Sequence, residues 1–245
     1  MAINLTELRR KNAERWDAAK LNRNFTSIAK ALISPQAKPR YQAVEAKTKV
    51  PWFIIAVIHE REASQNWKTQ LGQGDPLDRV STHVPKGRGP FSSWENGAYD
   101  ALVNCAPYAA RNTDWSPGGA LTMLEEYNGL GYANRGLPSP YVWSGTDQYS
   151  KGKYIRDGVF DPSVVDVQLG CAGLIKTMMS LDSSIKFGPV NTIPAFLKPV
   201  TINLPPATTT ASSSMTLPAV AVSSGIEQNE IKPKGVIGHL LSKFF

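Results

Sequence analysis

Cysteine and histidine are scarce in this chain of 245 residues, which contains two cysteines and three histidines. Cys105 and Cys171 are too few for a disulfide framework, and the spacing of the histidines matches no zinc site. We therefore expect neither metal catalysis nor a bound cofactor. Long apolar runs are also absent, and the N-terminal stretch MAINLTELRRKNAERWDAAK has no apolar core of the kind found in signal peptides. We expect a protein made in the cytoplasm, with neither a signal peptide nor a membrane span.

The excess of basic charge is confined to one part of the chain. Lysine and arginine number 27 against 20 acidic residues, for a net charge of +7. Residues 1–50 hold eleven of the basic residues and four of the acidic ones, which leaves sixteen of each in the remainder. Such a segment favours contact with anionic wall polymer or outer-membrane lipid, or else it is a solvated helical face. Because the rest of the chain is balanced and carries no recognition module, we expect no nucleic-acid partner.

Apolar periodicity predicts a mainly α protein. A basic N-terminal segment, residues 1–34, has the spacing of one helix or a helical pair, and residues 38–48 form a second candidate helix. The stretch from Pro51 to Ser64 is apolar on nearly every side through Ile58, which is typical of a buried helix. Later helices are expected to begin at cap residues, namely Ser93, Ser116 before Pro117, and Asp161 before Pro162.

Two other stretches lack helical periodicity. Residues 71–90 are rich in glycine and proline with a short β-like alternation, and we expect a small β-hairpin or irregular lobe that flanks a cleft. Residues 132–158 combine tyrosine, tryptophan, glycine and proline, which suits a binding loop. After the domain assigned to residues 38–190, residues 191–225 are typical of a Pro/Thr/Ser/Ala-rich linker, and residues 226–245 of a short cationic amphipathic tail.

The carboxyl group of Glu62 is the first candidate for chemistry. On a helix, Ile55, Ile58 and Glu62 share one face, so Glu62 is expected to project toward the core where the helix leaves it. Glu60 is expected to point elsewhere. A carboxyl group against apolar neighbours has a raised pKa and can act as a general acid for glycosidic cleavage near neutral pH. The alternative is an ion pair of Glu62 with Arg61 or with a lysine of another helix.

The run YQAVEAKTKVPWFIIAVIHEREAS resembles the central segment of goose-type lysozymes and soluble lytic transglycosylases, whose helix ends in an Arg-Glu-Ser or similar triplet that carries the acid. Here Ala63 takes the third place. Further along, LEEYNGLG resembles the Ala-Tyr-Asn-X-Gly motif of the same superfamily, with Glu126 where that motif favours Ala. The resemblance implies that Glu62 is the acid and that Tyr127 and Asn128 position the sugar.

A closer resemblance covers the chain to about residue 180. The arrangement IHEREAS, GQGDPL and HVP is similar to that of a set of phage and bacterial lysozyme-like proteins, from which Ala63 and Gln73 are departures. It implies an α+β lysozyme-like fold and cleavage of peptidoglycan at the β-1,4 bond between N-acetylmuramic acid and N-acetylglucosamine. We expect a monomeric phage endolysin that reaches the periplasm through a holin-made hole, with a virion-carried lysin or a secreted effector as alternatives. The rival from another class is a non-catalytic glycan-binding protein or a phage structural protein.

Asp75 lies where goose-type enzymes place an acidic residue opposite their acid. The resemblance implies that it holds a water as general base, giving hydrolysis with inversion at a carboxyl separation of roughly 6.5–9.5 Å. One alternative is ordinary turn chemistry in Gly-Asp-Pro. Another is a lytic transglycosylase, in which a group of the substrate replaces the water and the product is a 1,6-anhydro sugar. His59, three residues before Glu62, is a candidate modulator of the pKa of Glu62, or it caps a buried polar spot.

Aromatic side chains are candidates for stacking on the sugar rings. Three tryptophans lie in or beside apolar helical runs and are expected in the core: Trp52, Trp94 and Trp115. The candidates for sugar binding, besides Tyr127, are Trp67, Tyr132, Tyr141, Trp143 and Tyr149.

Overall fold

A computed structural model describes residues 3–188 of the chain. The expected linker and cationic tail, residues 191–225 and 226–245, lie outside the described residues. Within residues 3–188 the fold is mainly helical with one small antiparallel sheet, so the mainly α prediction is confirmed. No helix among these residues is long and apolar enough to cross a membrane.

The described part of the chain contains nine α-helices and a 3₁₀ turn, Ala109–Arg111. Its two strands, β1 (Lys153–Arg156) and β2 (Val159–Asp161), pair as an antiparallel hairpin. The helices are α1 (Leu5–Ala18), α2 (Thr26–Leu32), α3 (Lys38–Thr48), α4 (Trp52–Ala63), α5 (Trp94–Val103), α6 (Pro117–Asn128), α7 (Gly131–Asn134), α8 (Pro140–Trp143) and α9 (Cys171–Leu181).

Helix α4 lies at the centre of the fold. Every residue from Trp52 to Glu60 is buried, and α2, α3 and α9 pack around the helix. Because neighbours surround it, α4 needs no polar face over this stretch, and the prediction of a buried helix is confirmed. Pro51 precedes the first turn, where its missing N–H removes no helical hydrogen bond.

The two N-terminal helices belong to the same core. They confirm the prediction of a helical pair within residues 1–34. Helix α1 packs along α6, where Nδ2 of Asn12 donates a 3.1 Å hydrogen bond to Oγ1 of Thr122. The two backbones approach so closely that a Cβ atom at Gly118 would lie 2.5 Å from the carbonyl oxygen of Arg9. Helix α2 packs against α9 and α4. The basic segment therefore supports the domain that carries Glu62.

Two of the three expected cap residues open helices. The side chains of Ser93 and Ser116 each accept a backbone N–H three residues later, at the start of α5 and α6. The third expectation, a helix that begins after Asp161, is wrong, because α9 begins at Cys171. Asp161 instead ends β2, and its carboxylate accepts the backbone N–H of Ser163 at 2.8 Å in the turn that follows.

The expected lobe at residues 71–90 is irregular. These residues, all of them described, contain no strand, so the hairpin alternative is wrong and the irregular one is confirmed. Some of their backbone N–H groups bond to side chains, as those of Thr82 and His83 do to Asp75, and others bond to nearby backbone carbonyl groups, as that of Ser81 does to Arg88. The sheet lies at residues 153–161, partly inside the stretch expected to be an irregular binding loop.

Candidate active site

Glu62 lies in the last turn of α4, at the border between the core and the surface. The helix is buried through Glu60, whereas Glu62 is partly exposed. Its Oε1 atom accepts a 3.0 Å hydrogen bond from the hydroxyl group of Tyr141, a buried residue of α8. One carboxyl oxygen of Glu62 is therefore held by protein, and the residue as a whole is not fully buried.

Tyr127 of α6 lies beside the same carboxyl group. Burial raises the pKa of Tyr127 and the pKa of Tyr141 well above the ordinary value, and the negative charge of Glu62 adds to both shifts. Both phenols therefore keep their protons at neutral pH and remain hydrogen-bond donors. The hydroxyl group of Tyr127 donates to the carbonyl oxygen of Leu71 at 3.3 Å, which joins α6 to the irregular lobe. Of the predicted site residues, the structure brings Tyr127 and Tyr141 to Glu62.

Asn128 follows Tyr127 at the end of α6 and is also buried. Its Nδ2 atom makes no hydrogen bond with the described residues. Buried amide donors are nearly always hydrogen-bonded, and one without a partner costs about 1–3 kcal/mol. The motif that was predicted to line the cleft therefore holds a polar group that is unsatisfied within the described chain.

Arg61, the residue before Glu62, forms an ion pair with Asp166. Nη2 of Arg61 lies 2.9 Å from Oδ2 of Asp166, and Nζ of Lys153 lies 2.7 Å from the other oxygen. Burial alone would raise the pKa of Asp166, but the charges of Arg61 and Lys153 outweigh it and lower the pKa. The guanidinium group of Arg61 also lies 4.8 Å from the ring centre of Tyr141. Sequence patterns missed this cluster, because nothing local links Asp166 to α4.

The backbone turns sharply just after the candidate acid. Ser64 and Gln65 both have left-handed φ angles, 48° and 60°, although neither is glycine. Such a conformation costs roughly 1–2 kcal/mol per residue and persists only where the surroundings impose it. The side-chain amide of Gln65 donates to Oε2 of Glu60 at 2.8 Å, and that of Gln168 donates to the carbonyl oxygens of Glu60 and Arg61 at 3.1 Å. These bonds fix the end of α4.

The expectation that Glu60 points away from the core is wrong. Glu60 is 6% exposed and thus more buried than Glu62. Helical phase failed as a guide here because α4 is enclosed on all sides up to this residue, so no face is directed at solvent. The bond from Gln65 satisfies one of the buried carboxylate oxygens.

His59 is a fully buried side chain in an aromatic cluster. Its Nδ1 atom lies 3.0 Å from the hydroxyl oxygen of Tyr41, and its ring centre lies within 5 Å of the rings of Trp67 and Trp94. Burial lowers the pKa of His59 to about 4, so the imidazole is neutral at pH 7. It therefore contributes no full charge to the surroundings of Glu62.

Asp75 lies in the irregular lobe and is engaged by three donors. Its Oδ2 atom accepts the backbone N–H groups of Thr82 and His83 at 2.9 and 3.0 Å, and Oδ1 lies 2.7 Å from Nδ1 of His83. Burial raises the pKa of Asp75, but the hydrogen bonds from His83 and Thr82 outweigh it and lower the pKa. Asp75 is therefore an ionised carboxylate, 5% exposed, that organises the lobe.

Most of the predicted sugar-binding aromatic residues are core side chains. Trp143 has no exposed surface, so its ring offers no face to a sugar. Tyr132 and Tyr149 are buried, with hydroxyl groups bonded to backbone atoms. Trp67 is partly exposed, and the guanidinium group of Arg40 covers it at 4.0 Å from the ring centre. The three tryptophans expected in the core, Trp52, Trp94 and Trp115, are buried.

A groove of about 320 Å³ lies on other elements of the fold. Its lining includes Tyr149 and Asp166 on one side and Asn22 and Arg23 on the other. Of the predicted sugar-binding residues it contains Tyr149, and Glu62 is not part of it. Asp166, which pairs with Arg61, is the residue that this groove shares with the surroundings of Glu62.

No protein-family model, no curated protein and no solved structure matches this chain. Within residues 3–188, no group of three or more His, Cys, Asp or Glu side chains is placed to hold a metal ion. A function must therefore be inferred from the side chains around Glu62.

Proposed function

We propose that this protein cleaves the glycan strands of bacterial peptidoglycan at the β-1,4 bond between N-acetylmuramic acid and N-acetylglucosamine, with Glu62 as the general acid. The observation that carries the proposal is the position of Glu62, a partly exposed residue in the last turn of a buried helix. Its carboxyl group accepts a hydrogen bond from Tyr141, and its charge acts on the buried phenol of Tyr127. The two motifs that resemble goose-type lysozymes, those of Glu62 and Tyr127, meet at this point although they lie far apart in the sequence. A lysozyme-like fold and an endolysin role belong to the same proposal.

Proton donation is the step that Glu62 would perform. A proton passes from its carboxyl group to the bridging oxygen, so that the second sugar leaves as a neutral alcohol. The bond from Tyr141 holds one carboxyl oxygen, which restricts rotation of the group and directs the proton.

A lytic transglycosylase is the second candidate, and the bonds of Asp75 favour it. A carboxylate that already accepts three N–H groups and is almost fully buried is poorly placed to hold a water of its own. In the transglycosylase reaction the 6-hydroxyl group of N-acetylmuramic acid attacks the anomeric carbon instead. The product then carries a 1,6-anhydro end and is lighter by one water than the hydrolytic product.

The deciding experiment compares purified peptidoglycan treated with the wild-type protein and with the variants Glu62→Gln and Glu60→Gln. We expect Glu62→Gln to lose about 10²–10⁴-fold in cleavage rate while still sedimenting with the wall material, because the amide fills the same space but donates no acidic proton. Glu60→Gln is the matched control, since it lies on the same helix and retains an oxygen for Gln65. Mass spectrometry of the fragments distinguishes reducing ends from anhydro ends.

Two results would contradict the proposal. Glu62→Gln could cleave the wall at the wild-type rate, which would remove Glu62 from the chemistry. Alternatively, the wild-type protein could bind the wall and release no fragments, as expected for a non-catalytic glycan-binding or phage structural protein.

A further inference from the structure

Asp166 and Arg61 form a buried ion pair that the stability of the fold does not require. Their side chains are 1% and 7% exposed, and Nη2 of Arg61 lies 2.9 Å from Oδ2 of Asp166. Taking two charges out of water costs so much that a buried ion pair often stabilises a protein no better than apolar side chains of similar size. Nε of Arg61 is also buried and makes no hydrogen bond with the described residues. A role other than stability is therefore expected for the pair.

Two contacts of the Tyr141 side chain connect this ion pair to the candidate acid. The guanidinium carbon of Arg61 lies 4.8 Å from the ring centre of Tyr141, and the hydroxyl group of Tyr141 donates a 3.0 Å hydrogen bond to Oε1 of Glu62. Cys171, the first residue of α9, provides a second link. Burial raises the pKa of its thiol, and the charges of Arg61 and Glu62 act on that pKa in opposite directions. The charge of Arg61 therefore reaches the surroundings of Glu62.

A positive charge near a carboxyl group favours the ionised form, whereas a general acid must be protonated. The contacts of Tyr141 place the guanidinium carbon of Arg61 at most about 11 Å from Oε1 of Glu62, where one charge moves a titration by about one pH unit at an effective dielectric constant of about 20. Tyr127, Tyr141 and Cys171, which interact with Glu62 from α6, α8 and α9, are neutral at pH 7 because burial raises the pKa of each. Arg61, in contrast, brings a full charge.

Arg61 has a structural reason to stand beside the acid. Its Nη1 atom donates to the carbonyl oxygen of Leu169 at 3.2 Å, which ties the end of α4 to the segment before α9. Asp166 accepts the other branch of the guanidinium group and offsets its charge. The fold therefore keeps the arginine that anchors α4 and reduces the effect of its charge on Glu62.

We infer that Asp166 is a positioning residue for the proposed cleavage, which acts through Arg61 and lets Glu62 keep its proton near neutral pH. The inference rests on the proposed function. Lys153 acts in the opposite sense, because its Nζ atom lies 2.7 Å from Oδ1 of Asp166 and adds a positive charge to the same cluster. The two residues should therefore move the pH dependence of cleavage in opposite directions.

The test measures the release of soluble fragments from peptidoglycan against pH for the full-length wild type, Asp166→Asn and Lys153→Met. Asparagine keeps an oxygen for Arg61, and methionine keeps most of the length of lysine, so each variant mainly removes a charge. The wild-type rate should fall on the alkaline side as Glu62 loses its proton. We expect this fall to occur about 0.5–1 pH unit lower in Asp166→Asn, because the remaining positive charge favours the carboxylate, and at higher pH in Lys153→Met.

The variant Gln168→Ala is the control for geometry. The side-chain amide of Gln168 bonds the carbonyl oxygens of Glu60 and Arg61 at 3.1 Å and carries no charge. We expect Gln168→Ala to cleave more slowly at every pH, with the alkaline fall at the wild-type position. Glu60, whose charge also acts on Cys171, is present in all of these variants and cancels in the comparison.

A second readout does not depend on activity. The titration of the Glu62 carboxyl carbon can be followed by NMR in protein labelled at glutamate, and its signal is identified by its loss in Glu62→Gln. The midpoint should move down in Asp166→Asn and up in Lys153→Met, and stay in place in Gln168→Ala.

The inference is overturned if Asp166→Asn and Lys153→Met leave the midpoint unchanged, or if both move it in the same direction. Should Asp166→Asn fail to fold, Lys153→Met decides alone, and an unchanged midpoint there overturns the inference. A wild-type protein that releases no fragments removes the proposed function instead, and the NMR titration still shows whether the cluster controls the proton of Glu62.

Discussion

The hydroxyl group of Tyr141 donates a 3.0 Å hydrogen bond to Oε1 of Glu62, across a separation of 79 residues in the sequence. Helix α8, which carries Tyr141, has only four residues. The ring of Tyr141 is buried, and the guanidinium group of Arg61 lies 4.8 Å from its centre. The orientation of Glu62, the candidate acid, therefore depends on a residue that lies outside the sequence motif of Glu62.

Removal of this hydroxyl group should slow cleavage without unfolding the protein. In Tyr141→Phe the ring still fills its site, so we expect a loss of about 1 kcal/mol in the free energy of unfolding. The rate should fall about tenfold, or about 1.4 kcal/mol in the transition state, because the carboxyl group rotates more freely. Release of soluble fragments from peptidoglycan measures the rate. Tyr154→Phe is the control, since its hydroxyl group bonds Gly131 and Arg135 instead. Equal effects of the two variants on the rate would contradict the prediction.

Glu125 should make stability depend on pH. It is 1% exposed in α6, and burial raises its pKa to about 7 while Asn12, Arg15 and Trp143 offset part of the shift. The ordinary value of 4.5 applies to the unfolded chain. Between pH 4.5 and pH 7 the folded state therefore keeps a proton that the unfolded state loses. Stability should fall as the pH rises through this window and change no further above it.

The variant Glu125→Gln isolates this effect, because the amide has the same shape and does not titrate. We expect it to exceed the wild type in free energy of unfolding at pH 8 by about 3 kcal/mol, and to differ little at pH 4.5. Urea denaturation of both proteins at the two pH values provides the measurement. If the difference between them is the same at both, Glu125 is not the group responsible.

The close approach of α1 and α6 predicts a strong effect of one added methyl group. The Cβ of Gly118→Ala would lie 2.5 Å from the carbonyl oxygen of Arg9, so α1 must move away. Overpacking of this kind costs about 1–3 kcal/mol and should lower the melting temperature by several degrees. In the control Gly72→Ala, the new Cβ lies 3.4 Å from that of Ala101, an ordinary contact. Similar melting temperatures for the two variants would show that α1 is not tightly packed.

Local patterns predicted the elements whose cause is local. The apolar run after Pro51 and the caps at Ser93 and Ser116 were sufficient for α4, α5 and α6. The hairpin of β1 and β2 was missed although Asp157 and Gly158 stand between its strands, a common turn signal. The aromatic residues around it had favoured a binding loop.

The surroundings of Glu62 were harder to predict, because they depend on contacts between distant parts of the chain. Tyr127 was found from its motif, whereas the ion pair of Arg61 with Asp166 joins residues 105 positions apart. Helical periodicity also predicted wrongly that Glu60 points away from the core. The prediction failed because α4 is enclosed on all sides up to Glu60 and has no exposed face there. The bond of Asp75 to His83 was equally invisible, because it requires the irregular path of the lobe.

The end of α4 depends on residues that the ribosome adds much later. Gln168 and Asp166 hold the carbonyl and guanidinium groups of residues 60 and 61 from more than one hundred positions downstream. A chain released before this point lacks the bonds that fix the end of α4. Translation order therefore makes the last turn of α4 one of the later parts of the described fold to be fixed, and under the proposed function products truncated before residue 166 should not cleave peptidoglycan.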